Sequence, residues 1–162
     1  MSIAEEEDHL TAEDARAVAE LTARYDDKRA AAIEALKLVQ RRYRWVSDGR
    51  LRELAKLLDM TAAELDGVAT FYNLVFRRPV GRHVILLCDS VSCWIMGQEA
   101  LLDHCRQRFG LRLGATTPEE RFTLLPTVCL GCCDHAPALM IGDDLHGDLD
   151  PARLDALFDG YR

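Results

Sequence analysis

The sequence contains no long hydrophobic run. Nothing in its 162 residues approaches the roughly 20 consecutive apolar residues that are needed to span a bilayer. It also lacks the start of a secretory signal peptide, which is basic and then apolar, because its first residues include Glu5, Glu6, Glu7 and Asp8. These two absences predict a protein that does not insert into a membrane and stays in the cytoplasm.

An excess of positive charge is also missing. The chain has 20 basic and 27 acidic side chains and a net charge of −7, whereas phosphate binding requires a dense basic face, so no nucleic acid is expected as a partner. There is no glycine-rich nucleotide fingerprint, internal repeat or low-complexity segment. With 49% hydrophobic and 29% charged residues, the composition is typical of a folded globular protein.

The first 80 residues have the pattern of a helical bundle behind an acidic N-terminal tail. Thr11 with Asp14, and Thr61 with Glu64, resemble the capping boxes that begin helices. Helices are predicted over Thr11–Tyr25, over Arg29 to about Tyr43, after a cap at Ser47 or Asp48, and from Thr61 onward. Because each apolar helix face needs a partner, we predict that residues 1–80 form a small bundle.

The pattern changes after Pro79, and residues 81–162 predict an α/β domain. The predicted elements are a strand at His83–Leu87, a helix at Met96–Phe109, a strand at Arg121–Leu125 stopped by Pro126, strands at Ala138–Ile141 and near Leu145, and a helix opened by Pro151. A helix between the first two strands permits a right-handed crossover, and the short later turn suits a hairpin. This order is the outline of a thioredoxin-like domain.

The six cysteines fall in a pattern that suggests a metal site. In a reducing cytoplasm, clustered thiols are more often metal ligands or redox groups than disulfides. Cys88 and Cys93 follow the first predicted strand, while Cys129, Cys132 and Cys133 follow the second. Both groups are expected in loops that leave strand ends. Adjacent strands would bring these loops together, and two pairs of thiolates would then form a four-sulfur site.

Four thiolates suit either zinc or an iron–sulfur centre, and the loop chemistry favours a 2Fe–2S cluster. Such a cluster carries negative charge and needs hydrogen-bond donors and close backbone around its sulfurs. Gly97 and Gly131 would permit close approach, and Ser90 and Ser92 would add hydroxyl donors. Because neither loop contains lysine or arginine, the reduction potential is expected to be low.

Other interpretations of the thiols fit the sequence less well. A thioredoxin-type dithiol would use Cys129-Leu-Gly-Cys132, but its reactive cysteine should follow a first strand and open a helix. Cys105 lies in a predicted helix among apolar residues and is interpreted as part of the core. His135 is close to the second loop and is either a bystander or a hydrogen-bond partner that tunes the cluster.

The motifs Cys88-Asp-Ser-Val-Ser-Cys93 and Arg121-Phe-Thr-Leu-Leu-Pro-Thr-Val-Cys129-Leu-Gly-Cys-Cys133 resemble the thioredoxin-like 2Fe–2S subunit (NuoE type) of bacterial respiratory complex I, NADH:quinone oxidoreductase. The similarity extends upstream through Gly67-Val-Ala-Thr-Phe-Tyr and downstream through Leu139-Met-Ile. It therefore covers nearly the whole chain beyond the acidic N-terminus.

This resemblance implies a helical N-terminal part, a thioredoxin-like C-terminal part and one 2Fe–2S cluster held by Cys88, Cys93, Cys129 and Cys133. Cys132 is then an extra thiol between two ligands. The resemblance also implies a flavoprotein partner (NuoF type) that binds FMN and NADH, with which the cluster exchanges one electron. Further implications are contacts with other peripheral-arm subunits, a place on the cytoplasmic side of the inner membrane, and no catalysis by the isolated chain.

Two rival functions stay open at this point. The first is the homologous 2Fe–2S subunit of an NAD-dependent formate dehydrogenase or hydrogenase, which shares the same chemistry. The second is a structural zinc module that only docks proteins.

Overall fold

The computed structural model describes residues 8–161, so the acidic tail predicted at Glu5, Glu6 and Glu7 lies outside the described residues. The chain divides into two compact units, Met1–Pro79 and Val80–Arg162. We propose that these units correspond to the two domains expected at residues 1–80 and 81–162.

The first unit is helical. Its elements are α1 (Ala12–Thr22), a short 3-10 helix (Lys28–Ala31), α2 (Ala32–Tyr43), α3 (Asp48–Leu57) and α4 (Ala62–Phe71). Both predicted capping boxes are present: the hydroxyls of Thr11 and Thr61 accept hydrogen bonds from the backbone N–H groups of Asp14 and Glu64. These caps satisfy N–H groups that a helix leaves unpaired, which explains why α1 and α4 begin where the sequence predicts.

The core of the helical unit is made by leucine and small residues from all four helices. Leu36 of α2, Leu54 of α3 and Leu65 of α4 have no exposed surface, and Val18 of α1 is 1% exposed. Each fully buried leucine contributes about 1.5–3 kcal/mol of hydrophobic stabilisation. The helices therefore cover one another's apolar faces, as the sequence pattern requires.

The second unit contains a four-stranded mixed sheet. Its elements are β1 (His83–Cys88), α5 (Val91–Ile95), α6 (Gln98–Phe109), β2 (Phe122–Thr127), a 3-10 helix (Cys133–His135), β3 (Leu139–Ile141), β4 (Asp144–His146) and α7 (Pro151–Gly160). The strand order is β2-β1-β3-β4. β1 and β2 are parallel, while β3 is antiparallel to both β1 and β4. The crossover and the hairpin are thus confirmed, as is the mixed α/β fold class.

The structure corrects two predicted element boundaries. The second strand is not stopped by Pro126 but runs on to Thr127, because β2 lies at the sheet edge, where a residue without an N–H is tolerated. The helix predicted from Met96 begins at Gln98, because Gly97 adopts φ +105° and separates it from α5. α5 itself is a short helix that the sequence pattern did not predict.

The sheet, α6 and α7 enclose a separate apolar core. Leu87 and Leu124 from the parallel strands pack with Leu101 of α6 and with Leu154 and Phe158 of α7. Cys105 is 2% exposed within this cluster, which confirms its interpretation as a core residue. Across residues 8–161, no helix has both the length and the apolar character that crossing a membrane would require.

Candidate metal centre

The candidate site lies where β1 and β2 end. The two strands are parallel and in register, with Cys88 opposite Thr127, and the N–H of Asp89 donates to the carbonyl of Thr127 at 3.0 Å. The segments that follow therefore leave the same edge of the sheet side by side. This pairing confirms the expectation that adjacent strands bring the two cysteine groups together.

Cys88 and Cys93 form the buried half of the site. Each is 2% exposed, and both pack against Ala136 and Ala138. Burial raises the pKa of Cys93 to about 11, and the hydrogen bond with Cys88 and the negative charge of nearby thiolates add to this shift. A thiol of this kind gives up its proton when a metal replaces it.

The structure corrects the expected location of Cys93. It lies in α5, not in an irregular loop, and its sulfur accepts a hydrogen bond from the backbone N–H of Ala138. α5 begins right after Ser90, so a single helical turn carries the thiol back toward the strand end that holds Cys88.

Cys129 and Cys133 form the exposed half. Their sulfurs lie 3.4 Å apart, and the N–H of Gly131 donates to the sulfur of Cys129 at 3.4 Å. This N–H lowers the pKa of Cys129, while the proton shared with Cys129 raises the pKa of Cys133. Gly131 has φ +79°, and the left-handed turn that it permits folds the loop so that both sulfurs meet.

Cys132 occupies a different environment from its two neighbours. Its side chain is half-buried, and its sulfur is 3.2 Å from the position that a Cβ on Gly147 would occupy. The loop therefore turns Cys132 toward the segment that follows β4, while Cys129 and Cys133 face each other.

Hydrogen bonds between His135 and Asp148 hold the second cysteine loop against the segment after β4. The Nδ1 of His135 lies 2.8 Å from a carboxylate oxygen of Asp148, and the N–H of Asp148 donates to the carbonyl of His135 at 2.6 Å. Between them, a Cβ on Gly147 would lie 2.6 Å from the Cβ of His135. His135 is thus a structural partner of Asp148, a role that the sequence pattern did not indicate.

Hydroxyl groups hydrogen-bond to both sulfurs of the exposed pair. The side chain of Ser90 hydrogen-bonds to Cys129 and that of Ser92 to Cys133, which confirms the expected serine donors. The segments 88–97 and 127–135 contain no lysine or arginine, while Asp89 and Asp134 add negative charge. Within these two segments, N–H and hydroxyl donors rather than lysine or arginine side chains are available to stabilise bound negative charge.

The four thiols are arranged as two pairs, Cys88 with Cys93 and Cys129 with Cys133. Within residues 8–161, no three cysteine, histidine, aspartate or glutamate side chains are placed to hold a single ion. A 2Fe–2S cluster takes two thiolates on each of two irons, so the paired arrangement fits it. A single zinc ion would need its ligands around one centre.

Two groups at the site carry no signal in the sequence. The first is the N–H of Ala138, which donates to Cys93 because β3 lies beside β1. The second is the hydrogen-bonded pair of His135 and Asp148. Both depend on contacts between distant parts of the chain, and no local motif predicts them.

Comparison with known proteins agrees with this geometry. Residues 18–162 match the thioredoxin-like [2Fe-2S] ferredoxin family. The E subunit of NADH-quinone oxidoreductase from Pseudomonas aeruginosa is 50% identical over 137 residues, which are 85% of this chain and 82% of that protein. The corresponding protein of Escherichia coli K12 is 44% identical over 153 residues, which are 94% and 92% of the two chains.

A solved structure of similar fold is the NAD+-reducing [NiFe]-hydrogenase in its H2-reduced state, with a TM-score of 0.70 and 29% sequence identity. The match covers 81% of this chain and 22% of the hydrogenase chain, so this protein corresponds to less than a quarter of that chain. The matched residues and the coverage of both bacterial relatives show that the chain belongs to the thioredoxin-like [2Fe–2S] ferredoxin family and, within it, to the E subunits of NADH-quinone oxidoreductase.

Proposed function

We propose that this chain is the 2Fe–2S electron-transfer subunit of an NADH:quinone oxidoreductase, and that Cys88, Cys93, Cys129 and Cys133 hold its cluster. The observation that carries this proposal is the placement of two thiol pairs at the ends of neighbouring parallel strands. When bound, a 2Fe–2S cluster accepts and returns one electron at a time.

The residues of the chain have distinct tasks in this proposal. The buried pair, Cys88 and Cys93, fixes one side of the cluster against β3 and excludes water from it. The exposed pair, Cys129 and Cys133, holds the side from which electrons enter and leave. The N–H groups of Gly131 and Ala138 direct hydrogen bonds at the sulfurs and support their negative charge.

The proposed electron partner is a flavoprotein subunit that binds FMN and NADH. Two facts support this assignment: the bacterial relatives are named as parts of NADH-quinone oxidoreductase, and the sequence has no glycine-rich nucleotide fingerprint of its own. We further propose that the chain works on the cytoplasmic side of the membrane, within the peripheral arm. The isolated chain is expected to oxidise no NADH until it is mixed with the flavoprotein.

A second candidate function is the equivalent subunit of an NAD-linked hydrogenase. It is supported by the likeness to the NAD+-reducing [NiFe]-hydrogenase, but the identity of 29% is lower than the 44–50% found for the two NADH-quinone oxidoreductase relatives. Purification of the native complex separates the two functions: quinone reduction by NADH supports the first, and hydrogen-dependent NAD+ reduction supports the second.

The direct test of the cluster is anaerobic purification followed by metal analysis and spectroscopy. We expect a brown protein with equal amounts of iron and acid-labile sulfide and, after dithionite reduction, an EPR signal of one unpaired spin per chain. A colourless protein with stoichiometric zinc after the same purification would contradict the proposed function.

A further inference from the structure

A cavity of about 590 Å³ lies in the helical unit, and three arginines line it: Arg50, Arg77 and Arg78. The aromatic rings of Tyr43 and Trp45 form further parts of its wall. We call this cavity the arginine cavity. All of its lining residues belong to the first unit, so none of them is among the residues of the metal site. Its cationic lining favours an occupant of negative charge.

Arg77 and Arg78 are adjacent in the sequence, but their charges are compensated differently. The guanidinium of Arg77 lies 2.5 Å from a carboxylate oxygen of Asp48 and 2.8 Å from one of Asp66, so acidic neighbours already neutralise it. Arg78 is exposed, and no carboxylate of residues 8–161 pairs with it. Arg78 is therefore a cation of the cavity to which a further acidic group can bind.

Arg50 gives the cavity a buried positive charge. The residue is 9% exposed, and its guanidinium lies over the ring of Tyr43, 3.7 Å from the ring centroid. Stacking of this kind holds a guanidinium in place without removing its charge. Arg50 also belongs to the first turn of α3, where the helix dipole adds partial positive charge. Negative charge is thus stabilised at this end of α3.

The segment before α1 is anchored on α3, next to the cavity. The carboxylate of Asp8, which itself lines the cavity, accepts a hydrogen bond at 2.9 Å from the backbone N–H of Gly49. The carboxylate of Glu53 lies 2.5 Å from Nδ1 of His9 and accepts a hydrogen bond at 2.7 Å from the N–H of Leu10. These contacts fix three successive residues along α3, with Asp8 at the cavity wall.

The acidic tail, which consists of Glu5, Glu6 and Glu7, directly precedes Asp8 in the sequence. Three residues span at most about 10 Å when fully extended, so the anchoring of Asp8 keeps all three glutamates near the cavity. A short tether of this kind gives the attached carboxylates an effective concentration on the order of millimolar. The acidic tail therefore has an advantage over free anions in binding to the arginines.

We propose that the acidic tail binds in the arginine cavity and that its carboxylates pair with the guanidinium groups of Arg50 and Arg78. The tail then closes the cavity to free anions and fastens the segment before α1 to the N-terminal end of α3. The attraction is sensitive to salt, because Arg78 is exposed. This contact is independent of the cluster and of the proposed function, since it involves only the first unit.

The test follows the modification of Arg78 by phenylglyoxal, an arginine-selective reagent, in the full-length, cluster-loaded chain. Mass spectrometry of peptides gives the rate at Arg78 relative to the exposed Arg112 of the second unit. The variant is Glu5→Gln/Glu6→Gln/Glu7→Gln, which removes the negative charge of the acidic tail and keeps its length.

The matched control is Glu99→Gln/Asp103→Asn/Glu119→Gln, which removes the same charge from exposed positions of the second unit. At low ionic strength, we expect Arg78 to react about fivefold faster in the tail variant than in the wild type, the size expected of one or two partly exposed ion pairs. The control should react like the wild type. Salt at about 1 M, where the screening length is about 3 Å, should remove the difference.

A second variant displaces the acidic tail without changing any charge. A Cβ on Gly49 would lie 2.5 Å from a carboxylate oxygen of Asp8, so Gly49→Ala should move Asp8 and the tail away from the cavity. We expect Arg78 to react faster in this variant as well. Its control is Gly67→Ala in α4, where an added Cβ would meet no atom within 4 Å and the wild-type rate should be kept.

Equal rates at Arg78 in the wild type and the tail variant would overturn the inference. Protection that grows with protein concentration would also overturn it, because a second copy of the chain would then cover the cavity. The same holds if the wild type protects Arg78 only when inorganic phosphate is added, since a free anion would then be the occupant.

Discussion

The sulfur of Cys129 lies 3.4 Å from the sulfur of Cys133, whereas Cys132, which stands between them in the sequence, turns its half-buried side chain toward Gly147. Gly131, which lies between Cys129 and Cys132, adopts the left-handed conformation with φ +79°. Cys132 and Cys133 are thus adjacent in the sequence but lie in different surroundings.

The first prediction concerns these two thiols. Cys133→Ser should abolish or greatly alter the absorbance and EPR spectra of the cluster, because it removes one of the four proposed thiolates. Cys132→Ser should leave both spectra nearly unchanged and serves as the control. The reverse result would show that the second pair of ligands has been assigned wrongly.

The second prediction concerns Gly147. A methyl group there would meet the Cβ of His135 at 2.6 Å and its carbonyl oxygen at 2.7 Å, so Gly147→Ala should push the second cysteine loop out of place. Overpacking of this kind costs about 1–3 kcal/mol of unfolding free energy. We expect faster loss of cluster absorbance in air and a lower unfolding midpoint.

The control for Gly147→Ala is Gly160→Ala, where an added Cβ would meet no atom within 4 Å. This second variant lies in the same unit of the chain and should retain the wild-type rate of cluster loss. Similar behaviour of the two variants would show that close packing at Gly147 does not support the loop.

The third prediction concerns the hydrogen bond from Ser92 to Cys133. This bond stabilises negative charge on the sulfur, and the reduced cluster carries one more negative charge than the oxidised cluster. Ser92→Ala should therefore lower the reduction potential measured by an EPR-monitored redox titration. Cys132→Ser, next to Cys133 in the second cysteine loop, is the control, and an unchanged or higher potential in Ser92→Ala would contradict the prediction.

The fourth prediction concerns the acid stability of the helical unit. Burial raises the pKa of Asp14, but hydrogen bonds from Tyr43 and Thr11 and the charge of Arg42 outweigh it and hold the pKa below its ordinary value of 3.8. The carboxylate therefore stabilises the folded state above the ordinary pKa, and this contribution is lost as the pH falls through the lowered folded-state pKa.

Asp14→Asn tests this contribution by urea unfolding followed by far-UV circular dichroism. At pH 7 the variant should be less stable by about 1–3 kcal/mol, because a buried hydrogen-bonding network loses its charge. The difference from wild type should shrink below about pH 4, near the ordinary carboxyl pKa. The matched variant Asp26→Asn alters an exposed carboxylate and should show little change, and a difference for Asp14→Asn that is constant with pH would contradict the assignment.

Much of the fold follows from local patterns in the sequence. The caps at Thr11 and Thr61, the apolar run at His83–Leu87 and the helix end at Gly110 all agree with the structure, because capping and periodicity act over a few residues. The predicted stop at Pro126 was wrong, since the cost of a proline depends on whether its strand lies at the edge of the sheet.

By itself, the sequence determined the helical and α/β halves, the position of the cysteines after two strands and the absence of lysine and arginine from both cysteine loops. Only the tertiary structure decided that the thiols form one buried and one exposed pair, that Ala138 donates to Cys93, and that His135 and Asp148 hold the second loop. The physical reason is that burial and these hydrogen bonds depend on residues far apart in the chain, which meet only when β3 pairs with β1 and the turn after β4 packs against the loop.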